Sequence, residues 1–208
     1  GEEYIWIGTD GGGINRFDPS TYEFTHYPST KKAKVVSIAP YSKDELAISI
    51  HADRIWLFNK NTGTLRALDI KDEEVNYKIA YSGTNINLHR EPSGSMLLIS
   101  SMVRRLNTNT LTCSKIAISD GKKSQGNISI IGQTTQGLWM HDNSSIYLLA
   151  DGESQMHRIT TCDNNKINSG HIGPDGIMWL ATSNGLYKYD RIENKLNHLQ
   201  TSLIKEIS

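Results

Sequence analysis

The chain has 208 residues, 37% of them hydrophobic and 21% charged, a composition that excludes disorder and allows one all-β domain or two small ones. Twenty-two basic residues balance 22 acidic ones, so the charge points away from nucleic acid and from an anionic membrane surface as main partner. No stretch reaches the ~20 consecutive apolar residues of a membrane-spanning helix, and the opening GEEYIWIG lacks the basic end and apolar run of a signal peptide, so the expectation is a cytosolic protein or a mature, excised segment with no membrane insertion of its own.

In chain order, YIWIGT reads as a half-buried strand because its residues are β-branched and aromatic. Gly11, Gly12 and Gly13 permit a tight reversal into INRF, Asp18-Pro19-Ser20 fits a type I turn, and EFTHY follows as an outer strand. From Lys34 the pattern returns with one strand more in front, VVSIA, which makes four strands per complete unit. Leu68 to Ile86 is irregular and reads as a loop or one short helical turn. The third, fourth and fifth units follow, with Pro92-Ser93-Gly94, Gln136-Gly137 and Pro174-Asp175-Gly176 as their innermost hairpin turns.

Register supports the repeat. Phe17, Phe58, Leu106, Leu149 and Tyr189 are equivalent anchors spaced 41, 48, 43 and 40 residues apart. Three residues before them stand Ile14, Ile55, Val103, Ile146 and Leu186, and earlier again Trp6, Ala47, Met96, Trp139 and Trp179. Seven residues after the anchors come Phe24, Leu65, Cys113, Met156 and Leu196. A period near 40 with several short strands per unit predicts propeller blades rather than helical repeats. The expected division is 1–30 plus 202–208, then 34–70, 85–118, 127–160 and 166–200. The first unit lacks an innermost strand and SLIKEIS resembles one, so the expected fold is a β-propeller of about five four-stranded blades and about 20 strands, closed by the last segment. The alternative is an open arc of a larger, seven-bladed propeller, whose exposed edges would favour a homodimer through blade edges or faces.

IWIGTDGGGINRFDPSTYEFTHY and GIMWLATSNGLYKYDRIENKLNHL, with the PSG and PDG hairpins between them, resemble the two-component regulator propeller repeat. The resemblance spans essentially the whole chain; it is strong in the first and fifth units and weak in the second and third, where Ala47 and Met96 replace the Trp. It implies a non-enzymatic periplasmic sensor region of a hybrid two-component histidine kinase/response regulator, one that recognises a carbohydrate fragment and regulates glycan-utilisation genes. The larger propellers and the sandwich domain usual in that family are not in this sequence, so the resemblance implies a piece of a receptor.

If strands run outward from the axis, the turns between second and third strands and the links between units share one face. The position four after the Trp column is Asp10, His51, Ser100, Asn143 and Ser183, polar in every unit, and Asp53, Arg54, Asp142 and Asn184 adjoin it. Such groups suit the hydroxyls of an oligosaccharide or other small ligand, although Asn, Asp and Ser also favour turns on their own account. Trp6, Trp139 and Trp179 recur in an apolar column and read as packing between blades. Gly11-Gly12-Gly13 and GKKS at Gly121 to Ser124 fail the full phosphate-loop spacing. Cys113 and Cys162 show neither metal-ligand spacing nor a disulfide framework, and the seven histidines show no metal motif, so no metal or cofactor is expected. No catalytic residue is assigned. His51 with Asp53 and His141 with Asp142 are the pairs that an alternative reading as a lyase or hydrolase of a cyclic ester or polysaccharide would use. A protein-interaction platform is the third reading.

Overall fold

Short runs of β-branched and aromatic residues, broken by turn residues, become nineteen strands in the computed structural model, which describes residues 4–30, 32–72, 75, 85–162, 165–190 and 193–199. β1 (Ile5–Thr9), β2 (Gly13–Asp18) and β3 (Glu23–His26) form a three-stranded sheet. β4 (Val35–Pro40), β5 (Glu45–Ile50), β6 (Ile55–Asn59) and β7 (Leu65–Ala67) form the next sheet. β8 (Asn87–Arg90), β9 (Met96–Ile99), β10 (Val103–Leu106) and β11 (Cys113–Ile118) follow in chain order. So do β12 (Ser129–Thr134), β13 (Gly137–His141), β14 (Ser145–Leu149) and β15 (Gln155–Thr161). β16 (Ile167–Ile172), β17 (Met178–Thr182), β18 (Gly185–Asp190) and β19 (Lys195–His198) make the last sheet. The segment 202–208 expected to complete the first blade, and most of the irregular segment after Asp72, lie outside the described residues.

The chain divides into two units, Gly1–Ser100 with Arg104–Ser114, and Ser101–Val103 with Lys115–Ser208. In the first, two clusters fill the spaces between sheets. Ile14, Val35, Leu46, Ile48 and Phe58 are buried together, with Trp6 stacked on Tyr27 at 5.6 Å and edge-on to Phe58 at 5.6 Å. Ala39, Ala47, Ile55, Leu57, Met96, Leu98 and Leu106 form the other cluster, which Leu68, Ile70 and Val75 extend. In the second unit Trp139, Ile146, Met178, Leu180 and Tyr189 share a cluster, with Trp139 and Tyr189 rings 6.1 Å apart. Twice the Trp-column residue of a sheet packs on the anchor of the next, Trp6 on Phe58 and Trp139 on Tyr189, and Ala47 shares a cluster with Leu106. Packing between sheets is therefore the role of Trp6 and Trp139. Phe24, in contrast, is 55% exposed, and Tyr22 is 79% exposed beside the half-buried Phe17.

A second repeat lies one residue past the anchors. The side-chain oxygens of Asp18, Asn59 and Asn107 each accept backbone N–H groups two and three residues on. Their carbonyls accept from Tyr22, Gly63 and Leu111, all at positive φ. These are outer hairpin turns closed by an Asx bond and a left-handed residue. In the second unit one feature departs from a plain blade: β11 and β15, the outer strands of successive four-strand sets, pair in parallel through Ala117 with Gln155 and Ile118 with Met156.

Candidate functional site

The turns between second and third strands are tied to the links between sheets. Gly13 at φ 70° makes the first such turn possible, because a Cβ there would lie 2.2 Å from the carbonyl oxygen of Thr30. Ala33 O then accepts from both Gly11 and Gly13 N–H, and Asp10 meets the Lys34 ammonium at 2.8 Å. His51 N–H donates to Lys34 O, while its Nδ1 lies 2.8 Å from Asn85 Oδ1. Asp53 accepts from Trp56 Nε1 at 3.0 Å, with Arg54 4.0 Å away, and Ser100 is half-buried. These five residues belong to the first unit, where the Lys34 link brings Asp10 and His51 together.

The remaining four belong to the second unit. Asn143 N–H donates to Gln125 O and its carbonyl accepts from Ile167 at 2.7 Å. Ser183 N–H donates to Lys166 O, and its Oγ accepts from Lys166 N–H at 3.0 Å. Asn184 N–H donates to Thr182 Oγ1, and its carbonyl oxygen lies 2.8 Å from His198 Nε2. Asp142 is buried, and its two oxygens hold four donors: Ser144 N and Ser145 N at 2.8 Å, Gln125 N and Tyr147 Oη at 2.6 Å. Arg158 extends this network, donating to Ser145, to Tyr147 Oη at 2.9 Å and to Asp120 at 2.8 Å. Burial pushes the Tyr147 phenol up, and the neighbouring Asp142 adds to the shift. The Lys122 backbone N–H and the Arg158 guanidinium hold the Asp120 carboxyl below the usual range. In each His–Asp pair the ring is bonded elsewhere than to the neighbouring carboxylate: His141 Nδ1 contacts the Asp142 carbonyl oxygen at 2.8 Å, and His51 contacts Asn85.

Two concavities lie away from these turn residues, and sequence reasoning missed both. In the first unit a cleft of about 690 Å³ is lined by Tyr4, Trp6, Arg16, Lys43, Asp44 and Lys60, among others, with the Arg16 guanidinium 4.1 Å over the Tyr4 ring. Its residues come from the strand ends opposite His51, so their convergence needs the register of β1, β2, β5 and β6. In the second unit a cavity of about 500 Å³ lies beside the β11–β15 pair. Among the described residues no group of three or more His, Cys, Asp or Glu could hold a metal ion, and no helix is long and apolar enough to cross a membrane.

No family model and no curated protein matches the chain. Solved structures do. The extracellular domain of B. thetaiotaomicron BT4673, assigned to a hybrid two-component system, aligns with a TM-score of 0.70 at 19% identity over 94% of this chain and 26% of its own. BT3049 from the same organism, also the extracellular domain of an assigned hybrid two-component system, gives 0.67 at 16% over 95% and 27%. The Cps50 (Swd1) β-propeller domain of Myceliophteria thermophila gives 0.66 at 14% over 96% and 69%. The fold is that of a β-propeller. The chain spans about a quarter of the length of the two ectodomains it resembles.

Proposed function

We propose that this chain is a ligand-sensing propeller region of a hybrid two-component receptor, placed in the periplasm and recognising a carbohydrate fragment that controls glycan-utilisation genes. The observation that carries the reading is the alignment of nearly the whole chain with two bacterial ectodomains assigned to such systems. The repeat motifs of the first and fifth units support it independently. On this reading the five strand sets are blades, 202–208 completes the first or the chain is an arc of a larger ring, and pairing of two copies through edges or faces couples the region to the signal. The chain itself is not an enzyme; the kinase belongs to the parent protein.

Sugar binding needs hydrogen-bonding groups beside an apolar or aromatic wall. The first-unit cleft offers Arg16, Asp44 and Asn61 beside Tyr4 and Trp6. The turns of the first unit offer Asp10, His51 and Arg54, and those of the second, taken separately, offer Asn143, Ser183 and Asn184, with Asp142 holding its own turn in shape. Calorimetry against a panel of neutral and acidic oligosaccharides tests the reading. One class should bind saturably, and Arg16→Ala with Asp44→Ala, or Asp10→Ala with His51→Ala, should weaken it by about tenfold, which assigns the face. Binding of no oligosaccharide in the panel, or binding indifferent to both pairs of substitutions, sinks the proposal.

A further inference from the structure

The second-unit cavity does not look like a sugar site, and its chemistry points elsewhere. Its walls are Met102, Val103, Ile116, Ile118, Ile128 and Met156, without an aromatic platform. Its rim carries three ammonium groups, Lys115, Lys122 and Lys123. All three are exposed, and none makes an ion pair among the described residues. The nearest carboxylate in sequence, Asp120, is bound to the Arg158 guanidinium at 2.8 Å and to the Lys122 backbone N–H at 2.9 Å. That engagement leaves the rim with an excess of positive charge.

The loop that carries two of these lysines is held in place. Ser124 Oγ donates to Ser101 O at 2.6 Å, Gln125 N–H donates to Asp142 at 2.6 Å, and Arg158 reaches Lys123 O at 3.4 Å. Asp120 and Asp142 occupy the Lys122 and Gln125 amides, so these two backbone N–H groups are already engaged and do not serve an anion. Recognition falls to the ammonium side chains above an apolar floor. A bare inorganic anion would leave that floor unfilled, and a neutral sugar would leave most of its hydroxyls without partners.

We propose that this cavity binds a small amphiphilic anion, an apolar body seated on Met102, Ile128 and Met156 with a carboxylate, sulfate or sulfonate between Lys115, Lys122 and Lys123. About 500 Å³ lies within the usual range for a small-molecule site. The site is separate from the saccharide reading and does not depend on it.

Octanoate is the probe, titrated into the 208-residue chain by calorimetry, with acetate and neutral octanamide as controls. The expected result is saturable one-to-one binding of octanoate, weakened about tenfold or more in octanamide and in a K115S/K122S/K123S variant, with acetate failing to saturate. Equal affinity for acetate and octanoate would reduce the site to a patch of surface charge. Unchanged affinity in the lysine variant, or no saturation by octanoate, would overturn the proposal.

Discussion

Asp142 carries four hydrogen bonds on one buried carboxylate, and the residue before it is as constrained. His141 is 5% exposed, and burial pushes its imidazole below the ordinary value of 6.5, while the Asp142 carbonyl and charge act in the opposite direction. The folded chain therefore resists a proton that the unfolded chain takes up. Stability rises with pH across that window and is lost as pH falls from about 6.5 through the folded value. Thermal unfolding at several pH values from about 7.5 downward should show the midpoint falling with acid, and His141→Asn should flatten the slope between the unfolded and folded values. An unchanged slope in the variant would assign the acid sensitivity to other groups. The sequence showed Asp142 as one more polar residue beside a turn. Its donors come from Gln125 and Tyr147 as well as its own turn, and only the fold brings those together.

Among the elements, the packing between sheets was the most legible, because it rests on a column of large apolar residues. Phe58, Leu106, Leu149 and Tyr189 are all buried, as are Ala47, Met96 and Trp139. Trp139→Ala should lose about 3–5 kcal/mol, by removing the ring that meets Tyr189 and leaving a cavity. Chemical denaturation reads this loss directly, and a cost under about 1 kcal/mol would mean that the neighbouring sheet collapses to fill the space. Less legible was the Asx turn, although Asp18, Asn59, Asn107 and Asp190 stand in one column and Ala150 breaks it. The parallel pairing of β11 with β15 had no signal at all, since outer strands of separate repeats carry nothing in composition that marks them as partners. The second-unit cavity lies beside that pairing, so it was hidden for the same reason.

At the scale of the molecule, repetition made the propeller legible and hid the ligand. A repeat reports what each unit needs in order to pack, whereas the two proposed binding sites rest on residues that the repeat does not share: Arg16 and Asp44 in one cleft and Lys115, Lys122 and Lys123 at the other cavity. The two cysteines are another such difference, and neither is in a disulfide. Cys113 is half-buried against the second cluster of the first unit, its thiol pushed up to about 11 by burial, and Cys162 is 3% exposed within the cluster of the second. Each unit thus contains its own chemical clock. An alkylating reagent must wait for local opening before it reaches the Cys162 sulfur, so mass spectrometry of peptides taken during labelling times the two halves separately in one sample. Cys162 should be modified more slowly than Cys113, and a ligand that steadies only one unit should retard only the cysteine belonging to it.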